Sequence, residues 1–209
     1  TRRIVILLGP PGSGKGELAK NLIHEYGFQP LATGDLIRQH IDQDDAIGRI
    51  AKKYIGQGKL VPNEIIIPLA LKSLGLILAS SKVPILDGFP RDYEQAQELI
   101  KSMCENGLIP ILFYLDVRLE VCIKRILETR YAESIAKTGA PRIDDNPEAV
   151  NRRMDEFRDI TLPGINLLVQ QFPKNVYQID AEKNIKEVNA QAQGILDKLG
   201  FLRNTNTNT

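Results

Sequence analysis

The stretch Gly9-Pro10-Pro11-Gly12-Ser13-Gly14-Lys15 matches the pattern G-x-x-x-x-G-K of a phosphate-binding loop. The apolar run Ile4–Leu8 precedes it and a helical pattern, Leu18–Ile23, follows it, so the loop joins a strand to a helix. In that context small residues let backbone N–H groups curl around an anion, while the helix N-terminus and Lys15 add positive charge. An ordinary glycine-rich turn does not require the lysine. The stretch therefore predicts a nucleotide-phosphate site.

The composition is that of a globular domain. Hydrophobic residues make up 43% and charged residues 25% of 209 positions, which is typical of one domain with small insertions. The formal net charge of +1 predicts no nucleic-acid partner, because such a partner requires a broad basic surface. No membrane partner is predicted either, since the longest apolar candidate, Ile65–Ala79, contains Pro68 and Lys72. Cys104 and Cys122 lack metal-binding spacing and are expected to be bystander thiols.

Strand-like apolar runs alternate with helical patterns along the chain. The runs are Ile4–Leu8, a short stretch near Gln29–Leu31, Val83–Leu86, Ile109–Leu115 and Val176–Ile179. The helical patterns cover residues 14–26, 63–80, 93–106, 118–130, 147–171 and 184–199. This alternation predicts an α/β fold of βαβ units, with a parallel sheet and helices on both faces. Ligands of such sheets bind at the carboxyl ends of the strands, where the phosphate-binding loop lies.

Two stretches interrupt the alternation. Thr33–Pro62 carries two short helical patterns without a sheet strand. Arg130–Asp145 is polar, contains Gly139 and Pro141, and is either an ordinary long loop or a mobile lid. The tail 204–209 alternates asparagine with threonine and is predicted to be disordered.

Charged residues near the strand ends indicate phosphoryl transfer. Asp87 ends an apolar run, and it either holds Mg²⁺ through water or caps the next turn. Arg91 follows closely, and many further arginines are available. Their planar guanidinium groups suit phosphate oxygens and the charge that spreads over a transferred phosphoryl group. His24 and His40 are the only histidines and belong to no catalytic pattern, so a histidine-centred mechanism is not predicted.

Taken together, the motifs resemble those of the adenylate kinases, within the nucleoside monophosphate kinase family. The matching blocks are GPPGSGKG at 9–16, TGDLIR at 33–38, GKLVP at 58–62, DGFPR at 87–91 and RIDDN at 142–146. The resemblance covers residues 3–200. It implies a P-loop NTPase-type three-layer fold with a five-stranded parallel sheet, forming one kinase domain over 1–203. It further implies a monophosphate-binding insertion at 33–62, a short lid without zinc-binding cysteines at 130–145, and the reaction Mg·ATP + AMP ⇌ 2 ADP with Mg²⁺ as cofactor.

The resemblance also assigns roles to single residues. The ATP phosphates would be held by Gly12, Ser13, Gly14, Lys15, Gly16 and Glu17. Arg125 would lie against the ATP adenine, Lys183 would offer that base a backbone contact, and Arg130 would complete the ATP site. The AMP contacts would be Thr33, Arg38, Lys59, Val61, Gly88, Arg91 and Gln95, with Arg142 and Arg153 closing over the transferred group. The implied catalytic residues are Lys15, Arg91, Arg125, Arg142 and Arg153, and Asp87 would hold the metal through water. Arg152 would be the solvated neighbour of Arg153.

Three positions bear on substrate and activity. Thr33 and Gln95 are typical of adenylate kinases, whereas uridylate–cytidylate kinases carry alanine and asparagine there. Such buried polar contacts to a base discriminate strongly. Glu17 stands where the family usually has threonine, and it either faces the nucleotide or points away at the positive end of its helix. The alternatives to adenylate kinase activity are a UMP/CMP kinase and a nucleotide-binding regulatory protein with impaired catalysis.

The expected location and assembly state complete the sequence-based predictions. No targeting segment is evident, so a cytoplasmic protein is expected, with an organelle matrix as the alternative. We expect a monomer.

Overall fold

The structure, a computed structural model, describes residues 2–55, 57, 59–139 and 146–204. Five strands form one sheet in the order β2-β3-β1-β4-β5, and all neighbouring pairs are parallel. The strands are β1 (Arg2–Leu8), β2 (Gln29–Ala32), β3 (Pro84–Asp87), β4 (Leu108–Asp116) and β5 (Val176–Asp180). The sequence-based prediction of a five-stranded parallel sheet is confirmed.

Helices connect the strands throughout the described chain. They are α1 (Lys15–Tyr26), α2 (Thr33–Asp42), α3 (Ala46–Ile55), α4 (Asn63–Ala79), α5 (Tyr93–Glu105), α6 (Leu119–Lys124), α7 (Tyr131–Thr138), α8 (Pro147–Glu156), α9 (Leu162–Gln171) and α10 (Ile185–Lys198). Two π-helical turns, Arg125–Arg130 and Phe157–Thr161, join α6 to α7 and α8 to α9. A short 3₁₀ turn, Pro173–Asn175, precedes β5.

The sheet is buried on both faces. Alternate residues of β1 belong to two apolar clusters, because successive side chains of a strand point to opposite faces. Val5 and Leu7 pack with residues of α1, α6 and α10. Ile4, Ile6 and Leu8 pack with residues of α4, α5 and α9. The predicted three-layer arrangement is thereby confirmed.

The stretch Thr33–Pro62 has its own small core. Ile37, Ala51 and Ile66 form a separate apolar cluster that joins α2 and α3 to the start of α4. As predicted, two short helices lie in this stretch, and none of its described residues belongs to a strand of the sheet. This small core adjoins the main core through one end of α4, and the division of the chain into a core and an insertion stays a prediction.

The helices on either side of the polar stretch differ from the prediction. The helix expected to end near Arg130 continues through a π-helical turn to Thr138, and Gly139, with φ 77°, follows it. Neither glycine nor proline interrupts residues 125–138, so the sequence contains no earlier stop. The predicted helix 147–171 is present, but it contains a π-helical turn just before Pro163. Residues 140–145 lie outside the described chain.

Some further predictions concern the thiols, the tail and the apolar helices. No helix among the described residues is long and apolar enough to cross a membrane. Cys104 is exposed, Cys122 is buried, and both are free thiols. Asn204 is hydrogen-bonded to the last turn of α1, its backbone N–H donating to Glu25 O at 2.6 Å. The rest of the predicted disordered tail, 205–209, lies outside the described residues.

Candidate active site

The loop between β1 and α1 has the backbone that a phosphate cradle requires. Gly12 and Gly14 have φ angles of 80° and 97°, a region that other L-residues rarely adopt. A Cβ atom at Gly12 would also lie 2.6 Å from the carbonyl oxygen of Cys122. The second half of α6 and the π-helical turn after it therefore pack directly against the loop, and only glycine fits between them.

Lys15 is the first residue of α1 and turns back over the loop. Its Nζ atom donates to the carbonyl oxygens of Gly9 and Pro10, both at 2.7 Å, and lies 3.3 Å from Ser13 Oγ. All three acceptors are neutral, and hydrogen bonds to neutral oxygens are weaker than hydrogen bonds from an ammonium group to a charged oxygen. The ammonium group is thus held within the loop, where phosphate oxygens would replace the carbonyls.

Lys15 lies among charged groups of both signs. Burial lowers the pKa of Lys15 from its ordinary 10.5 to about 8. The Asp87 carboxylate raises this pKa, and the positive charges of Arg91 and Arg153 lower it. The two arginines are therefore close enough to act on the lysine through space. A bound phosphate would offset this repulsion and raise the pKa of Lys15 again.

A cavity of about 720 Å³ opens at the carboxyl ends of the central strands, where the sequence predicted it. Residues from all parts of the predicted site line this cavity. They are Gly12, Ser13, Gly14, Lys15, Gly16, Glu17, Arg38, Asp87, Gly88, Arg91, Arg125, Arg153 and Lys183. Arg125 lies at the start of the π-helical turn after α6, and Lys183 lies just after β5. These members of the predicted ATP and AMP sites thus surround one continuous space.

Arg91 is fixed at both its backbone and its side chain. Its Nε atom donates to Gly88 O at 2.8 Å. Its backbone N–H donates to Gln95 Oε1 at 2.8 Å, and its carbonyl oxygen accepts from Thr161 Oγ1 at 2.7 Å. The guanidinium group of Arg91 therefore extends from a backbone segment that hydrogen bonds hold in place.

Thr33 and Gln95 are both buried, with 2% of each residue exposed, and they lie behind the cavity wall. Thr33 Oγ1 donates to Gly88 O at 2.8 Å. Gln95 Nε2 donates to Asn63 Oδ1 at 2.8 Å and lies 3.2 Å from Asp92 Oδ2. The Gln95 amide is thus engaged by protein groups, and its contact with a base stays a prediction.

The remaining predicted residues lie at the margins. Arg38 is exposed and pairs with Asp35 on the same turn of α2. Lys59 and Val61 flank Leu60, which lines the cavity, although they do not line it themselves. For Arg130 the structure describes the backbone, at the end of the π-helical turn, and not the side chain. Arg142 lies outside the described residues, so its predicted role is untested.

Asp87 ends β3 next to the phosphate-binding loop. A Cβ atom at Gly16 would lie 3.5 Å from Asp87 Oδ2, so the carboxylate faces the first turn of α1. Among the described residues, no group of three His, Cys, Asp or Glu side chains could hold a metal. A metal ion here would therefore depend on Asp87, water and nucleotide phosphates. Mg²⁺ suits this arrangement, because it keeps several waters and commonly binds one or two carboxylates plus phosphates.

Glu17 forms an ion pair with Lys20, which was not predicted from the sequence. Its Oε1 atom lies 2.5 Å from Lys20 Nζ, one turn further along α1. Both side chains are more than half exposed, and both residues line the cavity. Glu17 therefore stands near the nucleotide space while its charge is balanced by a neighbour.

The structure adds residues that the sequence analysis missed. Glu156 lines the cavity, and burial raises its pKa, while the Leu60 backbone N–H and nearby arginines act in the opposite sense. Its position three residues after Arg153 on α8 was a usable clue, because residues at i and i+3 share a helix face. Thr161 also lines the cavity, but no motif or spacing in the sequence marks this residue. Arg152 is exposed as predicted, and its Nε atom also donates to Gln57 O at 2.7 Å.

Comparisons with known proteins agree with the site. The sequence model of the family "Adenylate kinase" matches residues 7–172. An adenylate kinase of Sinorhizobium medicae is 36% identical over 195 residues, covering 92% of this chain and 98% of the relative. Adenylate kinases of Brucella ovis and Brucella abortus are each 40% identical over 160 residues, covering 76% of this chain and 81% of the relatives. With its phosphate-binding loop, its arginine-lined cavity and these similarities, the chain belongs to the adenylate kinase family.

Proposed function

We propose that Lys15, Arg91 and Arg153 surround the phosphoryl group that this member of the adenylate kinase family transfers from ATP to AMP. The observation that carries the proposal is geometric: all three residues line one cavity. In agreement with this, both arginines lower the pKa of Lys15. This cluster of cations also interacts with the carboxylates of Asp87 and Glu156. In phosphoryl transfer it stabilises negative charge that spreads over the transferred group.

The donor side of the cavity is proposed to bind ATP. The loop glycines and the N-terminus of α1 would cradle the phosphates, with Lys15 exchanging its two carbonyl contacts for phosphate oxygens. Arg125 and Lys183 line the same cavity and are placed to contact the adenosine part. Arg130 and Arg142 remain proposed ligands on the basis of the motifs.

The acceptor side is proposed to bind AMP. Arg91 and Arg38 line the cavity and would hold the monophosphate through bidentate contacts. Gly88, beside them, has φ 80° and brings its carbonyl oxygen to Thr33 and Arg91. Lys59, Val61, Thr33 and Gln95 are proposed to shape the pocket for the base.

Mg²⁺ is the proposed cofactor, and Asp87 is the residue that would hold it through water. When bound, the ion would offset negative charge on the nucleotide phosphates. The protein residues supply the rest: Lys15 and Arg153 neutralise oxygens, and the loop backbone orients them.

We further propose that the insertion 33–62 and the segment 130–145 close over bound substrates. The separate small core of the insertion supports movement as a unit. Closure would exclude water, which otherwise competes as phosphoryl acceptor. A bisubstrate analogue should then protect both segments from hydrogen exchange, and unchanged exchange in both would contradict closure. A cytoplasmic location and a monomeric state remain proposals.

One assay tests the central proposal. ATP is supplied with AMP, UMP or CMP, and ADP formation is measured for the parent, Lys15→Ala and Arg91→Ala. AMP should be the preferred acceptor, and each variant should lose kcat/KM by about 100- to 1,000-fold with the fold intact. The family match does not favour the UMP/CMP or catalytically impaired alternatives. Preference for UMP or CMP, or near-parent kinetics of both variants, would overturn the proposal.

A further inference from the structure

The anchor of Arg91 includes a threonine that neither the motifs nor the comparisons single out. Thr161 Oγ1 donates to Arg91 O at 2.7 Å, while Gln95 Oε1 accepts from Arg91 N at 2.8 Å. These two bonds fix the peptide groups on both sides of the Arg91 Cα atom. Arg91 Nε also donates to Gly88 O. The position of the Arg91 backbone therefore determines the direction of its side chain.

Thr161 owes its position to an irregular helix. It is the last residue of the π-helical turn between α8 and α9, where Leu162 N–H donates to Phe157 O, five residues back. Pro163 follows at the start of α9 and has no N–H for a regular helical bond. Single π-helical turns of this kind are frequent at functional sites. Here the turn brings a hydroxyl to the cavity wall beside Arg91.

The same helix approaches the Arg91 segment at a second point. A Cβ atom at Gly164 would lie 2.3 Å from the carbonyl oxygen of Asp92. Helix α9 can therefore pack against Asp92 only because residue 164 is glycine. Arg153 lies on α8, eight residues before Thr161 in the same continuous helical segment. One helical segment thus carries Arg153 and also holds the backbone of Arg91.

We infer that Thr161 is a positioning residue: its hydroxyl holds Arg91 at a fixed distance from Arg153, so that both guanidinium groups meet the transferred phosphoryl group. The inference rests on the proposed role of Arg91. The hydroxyl itself is assigned no contact with substrate. Its effect on the reaction passes through the Arg91 carbonyl.

The substitution Thr161→Val tests the inference, because valine keeps the branched shape and removes the donor. The Arg91 carbonyl then loses its partner, and we expect kcat/KM for AMP to fall about 10-fold. The fall should appear as a lower kcat and a higher KM for AMP, while KM for ATP stays within about twofold of the parent. Thr161→Ser keeps the hydroxyl and should restore most of the lost activity. A purely structural role predicts instead a lower melting temperature with unchanged kinetic constants at 25 °C.

The Arg91→Ala background separates the inference from the function on which it rests. If Thr161 acts through Arg91, adding Thr161→Val to Arg91→Ala should change kcat/KM by less than about twofold. A full 10-fold loss in that background, or parent kinetics of Thr161→Val alone, would overturn the inference. Parent kinetics of Arg91→Ala would instead overturn the proposed function. Circular dichroism checks the fold, and if Thr161→Val does not fold, Thr161→Ala is compared with Thr161→Ser in the same way.

Discussion

The backbone N–H of Arg91 donates to the side-chain oxygen of Gln95 across 2.8 Å, and this bond links the cation of the cavity to helix α5. The other end of the Gln95 amide donates to Asn63 at the start of α4. The Gln95 residue is 2% exposed, so water cannot replace either contact. Gln95 thereby ties the arginine to the helix that leads out of the insertion.

Shortening this side chain should therefore affect both catalysis and stability. Asparagine at position 95 cannot reach Arg91 N and Asn63 Oδ1 together, so one buried polar group loses its partner. We expect Gln95→Asn to lower the free energy of unfolding by about 1–3 kcal/mol and kcat/KM for AMP by about 10-fold. The preference for AMP over UMP should also weaken, and more so when Thr33→Ala is added. Urea unfolding and the three-nucleotide assay measure these effects, and an unchanged AMP preference in the double variant would contradict the role in base selection.

A substitution at Gly12 should disrupt the phosphate-binding loop without changing any charged residue. The new Cβ atom in Gly12→Ala would meet the Cys122 carbonyl oxygen at 2.6 Å, and the φ of 80° would add backbone strain. We expect nucleotide affinity to fall at least about 10-fold and the melting temperature to drop. Gly75→Ala is the matched control, because nothing lies within 4 Å of a Cβ atom there. Parent-like ATP binding by Gly12→Ala would show that the loop adapts.

The features that depend on local residue patterns could be predicted from the sequence. The pattern around Lys15 and the apolar runs such as Ile4–Leu8 correctly predicted the loop, the parallel sheet and the position of the cavity. Sequence could not predict how far a helix continues past Arg130, since an uninterrupted polar stretch fits a helix or a loop equally well. It also could not predict that Thr161 reaches Arg91, because that contact joins residues 70 positions apart and depends on an irregular turn. Tertiary packing determines both where the helix after Arg130 ends and whether Thr161 contacts Arg91.

The lowered pKa of Lys15 makes nucleotide binding depend on pH. In the free protein the pKa is about 8, mainly because of burial, and bound phosphates should raise it. Below pH 8 the lysine is charged in both states, so affinity is constant. Above pH 8 the free protein must take up a proton to bind, so affinity should fall as pH rises, by up to about tenfold per unit. ATP titrations between pH 7.5 and 9.5 measure this decline.

The comparison variant for that titration is Lys15→Arg. An arginine stays charged throughout the range, so its pH slope should vanish whatever its absolute affinity. Stability offers a second check. Because the unfolded lysine titrates near 10.5, the unliganded parent should gain stability relative to Lys15→Arg as pH rises from 8 toward 10.5. An equal pH slope in both proteins would mean that another group titrates.

The ion pair between Glu17 and Lys20 should shield bound ATP from the Glu17 charge. Two unit charges 5 Å apart repel by about 3 kcal/mol at an effective dielectric constant of 20, so a bare carboxylate near ATP would weaken binding. The Lys20 ammonium, 2.5 Å from the carboxylate, cancels most of that field. We therefore expect Glu17→Thr to change the Kd of Mg·ATP by less than about twofold.

Lys20→Ala should weaken binding more in the parent than in the Glu17→Thr background, because only the parent is left with an unbalanced carboxylate. The four proteins form a double-mutant cycle, measured across a Mg²⁺ titration. Tighter binding by Glu17→Thr alone would show that the ion pair does not shield the nucleotide, and equal effects of Lys20→Ala in both backgrounds would show that the pair is not coupled.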